Sequence, residues 1–125
     1  MGSMGPLDNY QKMNQYEKDF QVKWASLLER LGKQFGEDMD YDGIIFLIGI
    51  QELGKGKLQL KKDQKLEVMH IAVCKLLSQY NYYRFLGNDE DGWPHYEPTE
   101  ELPFLQPMQQ HKLIKDAIVN YFSEE

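Results

Sequence analysis

The run Gly43-Ile44-Ile45-Phe46-Leu47-Ile48-Gly49-Ile50 constrains this chain more than any other stretch. It is the longest unbroken apolar segment and has no polar face to offer to water. A segment apolar all round calls for enclosure on every side by other elements. Two conformations compete for it. Four isoleucines and a phenylalanine suit a buried strand. The flanks suit a helix: Asp42, with Asp40 as a second candidate, stands where an N-cap oxygen is wanted, and Gly54 stands where a left-handed C-cap is wanted. Only Lys57-Leu58-Gln59-Leu60-Lys61 alternates like a second strand, and an isolated strand pair is marginal in water. The flanks therefore predict a short, central, buried helix. A membrane span needs about 20 apolar residues, more than this run supplies.

The 125 residues are enough for one core and too few for two. Residues 1–8 read as an expression-tag remnant or disordered N-terminus, with Met4 as a natural start, and residues 9–123 as one helical domain. Neither a basic nor an apolar region marks a signal peptide at the start, and Pro6 breaks the myristoylation pattern. A formal charge of −6 argues against general nucleic-acid binding. One cysteine forms no internal disulfide, which points to the cytoplasm.

Asp8 or Asn9 is placed to cap a first helix reaching Phe35, with Met13, Tyr16, Phe20, Trp24, Leu27, Leu31 and Phe35 recurring at spacings of three and four. Gly36 ends it, and an acidic connector leads to the central run. After a basic connector, Asp63 or the residue before it opens a third helix to about Tyr80. Its expected inward stripe is Leu66, Met69, His70, Val73, Leu76, Leu77 and Tyr80. Pro107 opens a fourth, with Leu113, Ile114, Ala117, Ile118, Tyr121 and Phe122 on one face. Between them, residues 81–105 hold six aromatics, three prolines and six carboxylates, too much for a plain connector. The expected fold is all-α: an irregular four-helix bundle with a long aromatic and acidic loop between its third and fourth helices.

Several constellations could carry chemistry. Glu67-Val68-Met69-His70 has the Glu-x-x-His spacing of di-iron bundles, but a second such motif is missing. Even with Glu29 and Glu52 as lone glutamates, half the ligand set is absent. His70 and Cys74, four apart, could share a metal with Glu67 and His95, yet no Cys-x-x-Cys or His-x-x-x-His supports them. As a nucleophile, Cys74 sits mid-helix with no oxyanion donor in view. The blander reading makes His70 a partly buried core histidine and Cys74 a small hydrophobe. Asn88-Asp89-Glu90-Asp91-Gly92 fails as an EF-hand loop, because Gly87 and Pro98 fall where its first and last ligands belong. The chain thus presents no catalytic residues and no cofactor signature.

The block Asp89-Glu90-Asp91-Gly92-Trp93-Pro94-His95-Tyr96 has the composition of a recognition surface. In that reading Trp93 and Tyr96 anchor a partner protein, while Asp89, Glu90, Asp91 and His95 surround them and the acids steer a basic surface. In the competing reading the two aromatics only cover the bundle end. At this block and at His70-Ile71-Ala72-Val73-Cys74-Lys75-Leu76-Leu77 the chain resembles a family of small bacterial helical proteins with no assigned activity. The resemblance spans residues 43–122 and implies a bacterial cytoplasmic origin. The expected function is a non-enzymatic protein-interaction module using the 82–104 loop. Behind it stand a bundle with a metal or small-molecule pocket near Glu67, His70 and Cys74, and a homodimer that covers the central run.

Overall fold

The structure is a computed structural model that describes residues 13–36, 38–54 and 61–123. It is mostly helical, and the chain divides between Met39 and Asp40 into two compact units. The first carries α1 (Gln15–Phe35). The Asn14 side chain accepts the Glu17 N–H at 2.8 Å, satisfying one of the N–H groups left open by the first turn. Asp8 and Asn9 lie outside the described residues. One turn apart on α1, the Phe20 and Trp24 rings stack with centroids 6.4 Å apart. Gly36 ends the helix as expected: it adopts φ +73° and donates to the Gly32 carbonyl at 2.9 Å.

The second unit contains α2 (Tyr41–Glu52), α3 (Lys65–Ser78), the strands β1 (Tyr83–Asn88) and β2 (Pro94–Pro98), and α4 (Pro107–Ser123). The central run is helix, not strand. Its cap is Asp40 rather than Asp42: the Asp40 carboxylate accepts the Gly43 N–H at 2.7 Å, and Asp42 falls inside the first turn. Gly54, at φ +89°, follows the last turn. Ile44, Ile45, Ile48 and Gly49 are buried, whereas Phe46, Leu47 and Ile50 are half-buried. The buried positions thus share one face of α2, and the opposite face is half-buried.

The element that others gather around is α3. It packs against α2, α4 and both strands. A 3-10 turn, Lys62–Gln64, leads into it, and the Lys61 N–H donates to Gln64 Oε1 at 2.9 Å. Contacts from several directions bury Val68, Ile71, Ala72, Cys74, Leu76 and Leu77. The expected stripe is therefore displaced: Leu66 is 78% exposed and His70 is exposed, since the N-terminal half of α3 turns that face outward. The helix stops at Ser78, short of Tyr80, in a Schellman motif. Asn81 takes φ +64°, its N–H reaches the Ser78 carbonyl at 3.1 Å, and the Tyr82 N–H reaches Leu77 at 3.2 Å.

The segment expected as a loop folds into an antiparallel hairpin, so the all-α reading needs correcting. Tyr83 pairs with Pro98, Arg84 with Glu97 and Phe85 with Tyr96. A bulge then leaves Leu86 unpaired before Gly87 meets His95 and Asn88 meets Pro94. Gly87 takes φ +118° at the bulge. Arg84 and Glu97 form a cross-strand ion pair. Below the strands, Thr99 closes the ribbon: its N–H donates to Tyr82 at 3.0 Å and its hydroxyl to Asn81 at 2.6 Å.

Pro107 opens α4 as expected, and Ile114, Ala117, Ile118 and Phe122 are buried. Polar side chains tie α4 to the neighbouring helices. Gln79 Nε2 donates to the Ala117 carbonyl at 3.0 Å, and the Tyr121 hydroxyl reaches Glu52 Oε2 at 3.0 Å. No helix among the described residues is long and apolar enough to cross a membrane.

A candidate binding cleft between α3 and the hairpin

The hairpin and the N-terminal half of α3 enclose a cleft of ≈ 550 Å³. From α3 and the turn before it come Gln64, Leu66, Glu67, His70, Ile71 and Cys74. From the hairpin come Asp89, Trp93, Pro94, His95 and Tyr96. Helical spacing puts Glu67, His70 and Cys74 on one side of α3. The ribbon doubles back beside α3 and presents the β2 residues opposite them.

Trp93 and Tyr96 are half-buried. They pack against a cluster of Leu53, Val68 and Ile71, together with Phe46 and Ile50, and they also line the cleft. These two rings therefore serve core and cleft at once. Tyr96 further packs on Phe85 across the sheet, with centroids 5.4 Å apart. Burial, then the nearby Glu52 and Cys74, push the Tyr96 phenol up to about 12.

Asp89 organises the turn. Its Oδ1 accepts the Asp91 N–H at 2.9 Å and the Trp93 N–H at 3.0 Å, while Oδ2 lies 2.8 Å from His95 Nε2. Its backbone joins in: the Asp89 N–H donates to the Trp93 carbonyl at 2.9 Å, and the Gly92 N–H donates to the Asp89 carbonyl at 3.0 Å. The His95 bond above all, and then the backbone donors, hold this carboxyl below its ordinary value of 3.8. One member of the acidic trio is thus bound into the turn. Glu90 and Asp91 are exposed at the tip and do not line the cleft.

On the opposite wall, Cys74 is buried and its Sγ lies 3.5 Å from His70 Nε2. Burial pushes the thiol up to about 11, so it is protonated at neutral pH and a poor nucleophile. His70 is an exposed residue leaning on a buried thiol, not a core histidine. Glu67, His70, Cys74 and His95 all reach the cleft, as the metal reading requires. Among the described residues, however, no group of three or more His, Cys, Asp or Glu side chains is placed to hold a metal ion. Leu66 and His70 are cleft residues that the expected core stripe misplaced. Helical periodicity assigns an outward leucine to a core stripe unless the neighbouring elements are known.

A second concavity, of ≈ 640 Å³, lies within the first unit and is lined by Leu28, Glu29, Gly32, Lys33, Gly36, Asp38 and Met39. It carries an exposed Glu29–Lys33 ion pair at 3.1 Å and no convergent chemistry.

No known protein family, curated protein or solved structure matches the chain. The resemblance to small bacterial helical proteins stays an expectation of the sequence.

Proposed function

We propose that this protein is a non-enzymatic interaction module that captures a segment of another protein in the cleft between α3 and the hairpin. The observation that carries this reading is Leu66. An exposed leucine sits at the rim of a concavity walled by Trp93, Pro94 and Tyr96; aromatic rings in such a concavity are the usual anchors of recognition, and Leu66 extends their apolar surface outward. The raised thiol of Cys74 favours binding over covalent chemistry. We place the module in a bacterial cytoplasm, in line with the sequence resemblance and the single cysteine.

Panning a random dodecapeptide phage library against the purified protein tests the proposal. Wild type should enrich sequences that Leu66→Asp does not retain. Leu66 is the position to change because its exposure keeps the fold out of the comparison, whereas Trp93 also packs on the core. Enrichment that is equal on both proteins, or absent from both, would sink the reading.

The same volume favours a second reading, because small-molecule sites span roughly 300–1,000 Å³. Native mass spectrometry separates the two. A retained small molecule would put that reading first, and a doubled mass would make a second copy of the chain the captured partner.

A further inference from the structure

We propose that the cleft selects an arginine side chain on the partner segment, with the guanidinium held between the aromatic wall and Glu67; this rests on the interaction reading above. The charge inventory of the cleft supports it. Two carboxylates, Glu67 and Asp89, line the cleft with two histidines, His70 and His95, and among the described residues no lysine or arginine does. Glu90 and Asp91 add the same sign on the adjoining turn. The cations carried by α3 itself are directed elsewhere. Lys65 Nζ stands over the Phe46 ring, 5.9 Å from its centroid, and Lys75 Nζ faces Glu52 at 3.9 Å. An apolar groove with such a rim favours an occupant with a long apolar stem and a positive head.

The two carboxylates do not contribute equally. The Asp89 carboxylate is engaged by the turn amides and faces His95, so it has less to offer a ligand than Glu67 has. Glu67 is exposed on α3 and is the carboxylate that can accept from a ligand directly. Trp93 and Tyr96 provide aromatic surface, which attracts cations through the ring quadrupole. A guanidinium combines both demands. Its plane stacks on a ring while its forked N–H donors reach a carboxylate, which a compact ammonium does not match.

The dodecapeptide library is again the probe, followed by synthetic forms of the enriched sequences. Enriched sequences should share an arginine. Replacing that arginine by citrulline, its neutral near-isostere, should weaken binding at least tenfold, and Glu67→Gln should weaken binding of the arginine form by a similar factor. Leu66→Asp separates this from general attraction to an acidic protein. It adds negative charge to the rim, so non-specific basic peptides would bind it more tightly, while a specific occupant would bind it less tightly. Enrichment without arginine, or with lysine in its place, overturns the inference and leaves the interaction module standing. Equal binding of the arginine and citrulline peptides does the same. No enrichment over Leu66→Asp removes both.

Discussion

Gly49 of α2 lies against the backbone of Val68 on α3 so closely that a Cβ there would fall 2.3 Å from the Val68 carbonyl oxygen and 2.6 Å from Val68 Cγ1. The obstacle is backbone as well as side chain, so no rotamer change relieves it. In most helices Gly→Ala is worth about 1 kcal/mol in favour of alanine. Here Gly49→Ala should lower stability by about 3 kcal/mol or more, at or beyond the upper end of overpacking costs. Urea unfolding of the variant checks this, and an unchanged midpoint would mean the two helices do not cross this tightly.

The cap of α2 gives a paired comparison. Asp40→Ala should cost about 1 kcal/mol, because the Gly43 N–H loses its acceptor. Asp42→Ala removes only a charge near the helix start and should cost a few tenths of a kcal/mol. Thermal denaturation of both variants at low ionic strength decides between them. A reversed order would restore Asp42 as the cap.

The turn at Asp89 should respond to acid in a defined direction. Its carboxyl is depressed in the folded state, so its contribution is present above the unfolded value of 3.8 and is lost as pH falls through the lower folded value. Near pH 4 the Asp91 and Trp93 amides should still show bonded chemical shifts, and they should move together only on further acidification. In Asp89→Ala both amides should exchange freely at every pH. Amide NMR reads both effects, and a transition well above pH 4 would contradict the geometry.

Cys74 and Tyr96 make the fold sensitive to alkali. Both are raised in the folded state, to about 11 and about 12, so their neutral forms stabilise the fold fully below the unfolded values of 9.0 and 10.0. That stability should fade as pH climbs from about 9 towards 12. At neutral pH the buried thiol should react with a disulfide reagent only as fast as the protein opens, and labelling should accelerate sharply in denaturant. Rapid labelling of the native protein would show an exposed thiol.

Helix ends were the most legible part of the sequence. Gly36, Gly54 and Pro107 fall where the structure uses them, because a left-handed residue or a fixed φ is a local demand. The hairpin was not legible, for two local reasons. The bulge between Phe85 and Gly87 destroys the alternation by which a strand is recognised, so Phe85-Leu86 reads as an aperiodic pair. Asp91-Gly92, a turn signal, lies inside an acidic cluster that invites comparison with a calcium loop. The candidate site was visible in halves. Glu67, His70 and Cys74 stood in one constellation and Trp93, His95 and Tyr96 mainly in another, and only the fold-back of the ribbon onto α3 merges them.

One wall of the cleft is a helix packed on several sides, and the other is a two-stranded ribbon, an element that is marginal in water when alone. The ribbon draws its order from several sources, among them the Trp93 and Tyr96 rings resting on the core, the knot of donors around Asp89 and the Thr99 bonds at its base. An occupant touching both walls would become another. Its binding energy would then be shared with the ordering of the ribbon, so affinity and ribbon stability would rise or fall together. Changes at the bulge or at Thr99, remote from any ligand contact, would then act as a dial on how tightly the cleft holds what it captures.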